Sequence, residues 1–123
     1  MNLHRLILLA AGLGVLAACA ESSRSSGDLG GGDPERGAVI IVREACGACH
    51  QIPGIQAADG QVGPPLGGVG RRTIIAGMLA NTPQNMAYWV RRPQAVVPGN
   101  AMPDVGLSEA QARDVAAYLE TLR

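Results

Sequence analysis

The chain contains no phenylalanine and no lysine, and Tyr88, Trp89 and Tyr118 are its only aromatic residues. Aromatic rings normally supply much of the buried area of a core. With 17 glycines and 8 prolines among 123 residues, this chain is short of apolar filling and rich in loop. A small domain of that makeup is marginal unless a disulfide, metal or cofactor staples it. Charge of one sign is missing as well. Ten arginines stand against ten carboxylates, so the basic footprint of a nucleic-acid binder is absent. No apolar run reaches the roughly 20 residues of a bilayer-spanning helix. Histidine is limited to His4 and His50, and cysteine to Cys19, Cys46 and Cys49.

The first 18 residues read as an export signal. Met1 to Arg5 is a short, weakly positive start, and Leu6 to Ala18 is an apolar run of 13 residues. Its end, Leu16-Ala17-Ala18-Cys19, resembles the lipobox of bacterial lipoproteins, in which the cysteine is lipidated and becomes the mature N-terminus. An ordinary signal peptide and an uncleaved anchor are the alternatives. All three place the rest of the chain outside the cytoplasm. A lipid anchor of two or more acyl chains would hold it stably at a membrane. Residues 19–32 are a Ser/Gly linker too polar to fold, with ends roughly 20 Å apart as a coil. The folded domain is expected over residues 33–123. Without residues 1–18 it carries nine arginines against ten acids.

Three helices announce themselves by their start signals. Asp33-Pro34-Glu35 gives an N-cap, a proline at the first helical position and an acid in the first turn. Ala38, Ile41, Val42 and Ala45 are its expected apolar face, and its end is expected near Cys46. Thr82-Pro83 opens a second helix with Met86, Trp89 and Val90 on one face, ended by Pro93. Ser108-Glu109-Ala110-Gln111 is a capping box. Ala112, Val115, Ala116, Leu119 and Leu122 follow it at helical spacing. No run reads as a strand. The expected class is all-α, three main helices with long loops, and loops of that length need something to wrap around.

Cys46-Gly47-Ala48-Cys49-His50 is the C-x-x-C-H pattern of covalent haem attachment. Two thiols add across the two vinyl groups on one porphyrin edge. Two intervening residues let one turn present both sulfurs, and His50 then lies under the iron. A disulfide between Cys46 and Cys49 is one rival. A thioredoxin-like redox pair is a second, but its βαβ context is missing. Half a zinc site is a third, but no second C-x-x-C exists and His4 lies in the signal.

Haem iron bound by histidine on one side takes methionine, histidine or nothing on the other. No second histidine lies in the domain. Met86 falls on the second helix and Met78 in an apolar stretch, where each serves as packing. Met102 lies in the rigid loop Pro98-Gly99-Asn100-Ala101-Met102-Pro103 and is the candidate sixth ligand. The alternative is a five-coordinate haem with Met102 as loop filler.

The order of these motifs resembles the class I cytochrome c family over residues 33–123. A helix leads into C-x-x-C-H. Then come Gly63-Pro64-Pro65-Leu66, a tryptophan-bearing helix, an Ala-Met-Pro loop and a terminal helix with Ala-Tyr-Leu. Ile52-Pro53-Gly54 and Asn81-Thr82-Pro83 are similar to bacterial members that serve terminal oxidases or periplasmic dehydrogenases. The resemblance implies that the Pro64 carbonyl accepts the proton of the His50 nitrogen facing away from iron. It implies that Arg71 and the Trp89 indole approach a haem propionate, although Arg71 and Arg72 also read as a solvated basic pair. It implies that Tyr118 and Val115 pack the last helix on the first. Gly37 suits that crossing, but no aromatic follows it, so Ile41 or Val42 must substitute. The expected function is one-electron transfer by a single haem c rather than enzymatic turnover. The expected setting is a respiratory chain on the periplasmic side of a bacterial membrane, with a terminal oxidase, cytochrome complex or dehydrogenase as redox partner. A five-coordinate haem protein binding a small gas or peroxide is the alternative.

Overall fold

The computed structural model describes residues 30–123. The signal segment 1–18, Cys19 and the linker as far as residue 29 lie outside the described residues. Four α-helices make up the frame: α1 (Pro34–Arg43), α2 (Pro83–Arg91), α3 (Pro93–Val96) and α4 (Glu109–Thr121). Two 3₁₀ turns, Cys46–Ala48 and Val69–Arg71, and one small hairpin interrupt the loops. The architecture is all-α and cytochrome c-like, as the motif order implies.

The helix starts follow the sequence signals. Asp33 Oδ1 accepts from the backbone N–H of Glu35 (2.8 Å) and Arg36 (3.0 Å). Thr82 Oγ1 accepts from Asn85 N–H at 3.1 Å. Both arms of the Ser108 capping box are made, at 2.9 and 3.2 Å. Each cap satisfies donors that the first helical turn leaves unpaired.

Helix α4 is the centre of the packing, with α1 and α2 both laid against it. Its small residues allow close approach: Ala112, Ala116 and Ala117 are at most 1% exposed. Across it, Gly37 of α1 sits directly on the Asp114 carbonyl and the Tyr118 Cβ. A side chain at position 37 would occupy the space of the α4 backbone.

That contact corrects the expected face of α1. The buried residues are Gly37, Ile40 and Ile41, whereas Val42 is 62% exposed and Ala45 also faces out. Ile41, 1% exposed, is therefore the residue that stands in for an aromatic at the crossing. The helix also ends earlier than expected, at Arg43, because Ala45 turns left-handed (φ 53°) two residues later.

Three further differences from the sequence expectation have local causes. Ile74–Ile75 and Leu79–Ala80 pair as antiparallel β1 and β2. Their three-residue link opens with two left-handed residues, Ala76 (φ 51°) and Gly77 (φ 72°), and Met78 N–H closes the turn on the Ile75 carbonyl at 3.1 Å. Pro93 ends α2 but also opens α3 as its first residue. Gly30 and Gly32, expected in the linker, touch the packed unit: Gly30 lies against Pro83, and Gly32 is buried against the Arg113 carbonyl and Ala117.

One ion-paired cluster locks the α1–α4 crossing. Asp114 accepts from Asp33 N–H (2.8 Å), Arg36 Nε (2.9 Å) and Arg36 Nη2 (3.0 Å). Burial pushes the Asp114 carboxyl up. The hydrogen bonds from Arg36 and the Asp33 N–H, with the charges of Arg36 and Arg113, outweigh that, and it titrates below its ordinary value. A depressed carboxyl stabilises the fold above its unfolded pKa of about 3.9 and stops doing so as pH falls through its lower folded value. The Asp114→Asn variant should therefore be less stable at neutral pH. Its loss of thermal midpoint between about pH 5 and pH 2 should be shallower than the parent's. Melting curves across that range check this; parallel pH profiles would contradict it.

Candidate haem attachment site

The site is built on the turn that follows α1. Ala45 in its left-handed conformation swings the chain from α1 into the 3₁₀ turn Cys46–Ala48. Cys49 N–H and His50 N–H both bond to the Cys46 carbonyl, at 3.2 and 3.1 Å. This single turn puts both thiols and the imidazole on one short stretch of backbone. Cys46 and Cys49 are free and half-buried, so no disulfide joins them. Burial pushes the Cys46 thiol above its ordinary value. The motif follows helix α1 and no βαβ unit surrounds it among the described residues, so the thioredoxin-like reading lacks its structural context. No group of three or more His, Cys, Asp or Glu side chains converges among the described residues, and the zinc reading has no partner ligands.

The glycine-rich loop closes over this turn. Gly60 N–H bonds to the Gly47 carbonyl (3.0 Å), Gly63 N–H to the Cys49 carbonyl (2.8 Å) and Leu66 N–H to the Gln51 carbonyl (2.9 Å). His50 Nδ1 lies 2.8 Å from the Pro64 carbonyl oxygen. A carbonyl only accepts, so Nδ1 carries the proton and the Nε2 lone pair is left for a metal. Gly63 presses on the ring itself: a Cβ there would collide with Cε1, Nδ1 and Nε2 of His50. The sequence placed Gly63 in a motif but gave no sign that it fixes the imidazole plane. Arg72 braces the same segment by donating to the Pro65 carbonyl at 2.7 Å.

Met102 lies in the loop between α3 and α4, half-buried and packed against the core. Its backbone is held on both sides. Met102 N–H donates to Asn100 Oδ1 (2.7 Å), and Gln94 Nε2 donates to the Met102 carbonyl (2.8 Å). Gln94 also bonds Asn100 O and Gly99 N–H, and Asn100 Nδ2 bonds Pro93 O and Val97 O. Gln94 and Asn100 thus form a polar clasp that sequence reasoning missed. Its only sequence signal is a pair of amides flanking a Pro-Gly turn.

The other expected residues are placed as follows. Trp89 is half-buried against the core. Arg71 is exposed at the end of the second 3₁₀ turn and forms no ion pair among the described residues. Met86 is 2% exposed inside the core, whereas Met78 is 59% exposed rather than filling a gap. Asn81 donates to the Val69 and Arg72 carbonyls, and its buried Oδ1 is left without a partner. Two free thiols on one turn, followed by an imidazole with its outer nitrogen engaged, fit the covalent attachment of a haem. A side chain at position 63 would abolish that arrangement.

Comparison with known proteins agrees with this geometry. The sequence model described as "Cytochrome c" matches residues 34–123. The cytochrome c-type cyt cy of Rhodobacter capsulatus is 40% identical over 92 residues, covering 64% of this chain and 44% of that protein. Cytochrome c oxidase subunit 2 of Alkalihalophilus pseudofirmus is 34% identical over 89 residues, covering 72% of this chain and 25% of that protein. Its counterpart in Bacillus sp. strain PS3 is 32% identical over 87 residues, covering 68% and 24%. The chain therefore matches between about a quarter and under half of these relatives' lengths. The family match, the helical frame and the C-x-x-C-H turn agree, and the chain belongs to the cytochrome c family, as a class I c-type cytochrome whose cofactor is haem c bound through Cys46 and Cys49.

Proposed function

We propose that the protein is a one-electron carrier whose haem iron is held between His50 and Met102, and that it relays electrons in a bacterial respiratory chain. The observation that carries this reading is the 2.8 Å contact of His50 Nδ1 with the Pro64 carbonyl, with Gly63 against the ring. It leaves Nε2 unprotonated and aimed by the backbone rather than by a flexible side chain.

When bound, haem c supplies the Fe(II)/Fe(III) couple. The chain's residues set its surroundings. His50 gives a nitrogen ligand whose basicity is raised by the hydrogen bond behind it. Met102 gives a thioether, and methionine ligation raises the potential relative to two histidines. The clasp of Gln94 and Asn100 holds the Met102 backbone at fixed hydrogen-bond distances, which favours a permanent ligand over a loop filler. With His50 and Met102 both holding the iron, no position would be left for a substrate, and electron transfer would need little bond rearrangement. Relatives bearing the name cytochrome c oxidase subunit 2 support a terminal oxidase among its partners. The reading of residues 1–18 as an export signal and of Leu16-Ala17-Ala18-Cys19 as a lipobox supports a periplasmic location with a lipid on Cys19.

Three outcomes are expected. The reduced parent protein should not bind carbon monoxide promptly at neutral pH, whereas Met102→Ala should. Prompt binding by the parent would identify a gas- or peroxide-binding haem protein instead. Gly63→Ala should lower the stability of the holoprotein by about 1–3 kcal/mol or more and shift its absorption spectrum, because the imidazole must turn or lose its Pro64 bond. An unchanged spectrum and melting point would count against that role. The mature protein should carry acyl mass on an N-terminal Cys19 and lose it in Cys19→Ser. A mature N-terminus elsewhere, or an unmodified Cys19, would rule out the lipid anchor.

A further inference from the structure

Helices α2 and α4 leave a groove of about 260 Å³ between them, beside the point where the chain enters the domain. Its apolar wall is made by Pro83, Ala87 and Tyr88 of α2 and by Ala112 of α4. Gly30, the first described residue, belongs to the lining as well. The chain passes there through a left-handed turn at Gly30 (φ 62°) and Gly31 (φ 79°). Gly30 stands so close to α2 that a Cβ on it would lie 2.8 Å from the Pro83 Cβ.

The residue one position upstream is Leu29. Adjacent Cα atoms are about 3.8 Å apart, so Leu29 starts at the mouth of the groove. It is the one large apolar side chain between Cys19 and Asp33, in a stretch otherwise of serine, glycine, alanine and charged residues. Seating it on the wall removes two apolar surfaces from water at once. Dock and occupant are one chain, so no second molecule has to be captured. Charge agrees with this occupant. Arg113 pairs with Glu109 at 2.6 Å, and Arg91 stands 4.0 Å from the same carboxylate. Two cations against one anion leave the rim of the groove positive, and Asp28 directly precedes Leu29. The nearest upstream cation, Arg24, stands four residues before Asp28.

We propose that the groove between α2 and α4 is a dock for the chain's own upstream segment, with Leu29 seated on the apolar wall and Asp28 facing Arg91 and Arg113. The dock itself needs no lipid. Its consequence rests on the reading of Cys19 as the anchor. Nine residues, Cys19 to Gly27, then remain as the tether, with a reach of at most about 32 Å when fully extended. The α2–α4 face is the side of the domain held nearest the anchor, and the tether sets the orientation of the domain as well as its distance from the membrane.

The test uses the reduced full-length holoprotein, read by its amide resonances and by thermolysin, which cuts before leucine. Leu29→Ser should shift the resonances of Tyr88 and Arg91, both remote from it in sequence, whereas Ser26→Ala should shift neither. Thermolysin should cut the Asp28–Leu29 bond of Tyr88→Asp about tenfold or more faster than that of the parent, because the apolar wall is lost. Tyr88 is 49% exposed, and an unchanged haem spectrum shows that the variant is folded. Arg113→Glu should speed the same cut about threefold, because it turns the rim negative against Asp28. Unmoved Tyr88 and Arg91 resonances in Leu29→Ser, or a parent cut as fast as both groove variants, would overturn the dock. Groove resonances that shift with protein concentration but not with Leu29→Ser would assign the groove to a second copy of the chain and overturn it too. The expected shifts and protection in protein whose Cys19 carries no acyl group would uphold the dock while the anchor reading falls.

Discussion

The structure hangs on the point where the backbone of α1 meets that of α4 at Gly37. Nothing larger than a hydrogen fits between that residue and the Asp114 carbonyl. Once the helices touch there, the rest of α1 has no rotational freedom. Ile40 and Ile41 must enter the core, and Val39 and Val42 must leave it. The direction in which α1 delivers the chain to Cys46 is set by the same contact. The Asp33–Arg36–Asp114 cluster then fastens the N-terminal end of the crossing with hydrogen bonds. A core without phenylalanine is workable because α4 offers alanines, and alanines permit helix axes to approach closely.

The site relies on the opposite strategy. Directional hydrogen bonds set its geometry. His50 is fixed by one carbonyl behind its ring and one glycine across it. The Met102 loop is fixed by two amide side chains, Gln94 and Asn100, that satisfy six backbone groups in and beside it. Such bonds contribute about 1 kcal/mol each, so their value lies in fixing geometry more than in adding stability. A covalently attached cofactor suits this division, since attachment does not depend on the loops being rigid.

Legibility followed the range of the forces involved. Caps are local, and Asp33, Thr82 and Ser108 were readable from neighbouring residues. The C-x-x-C-H turn is local as well. The face of α1 was not readable, because Val42 and Ala45 fit helical spacing as well as Gly37 and Ile40 do, and only a helix 70 residues away decides between them. The hairpin was hidden because alanine, not asparagine or glycine, takes the first left-handed turn position at Ala76. Helix α3 and the Gln94 clasp were hidden behind Pro93, whose role as a terminator is visible and whose role as a start depends on the loop that follows. The partners of Arg36 and Asp114 lie 78 positions apart, beyond any pattern in the chain.

The clasp at Asp33 has a mechanical side. Residues upstream enter the domain through Gly32, wedged under the α4 backbone, and then through an N–H held by Asp114. A pull on the upstream chain therefore reaches the longest helix first, through bonds bridging two helices, before any tension is felt along α1. The covalent attachment turn sits at the far end of that helix, after Arg43. Load applied at one end of α1 is diverted into α4, and the cofactor-bearing end is shielded from strain.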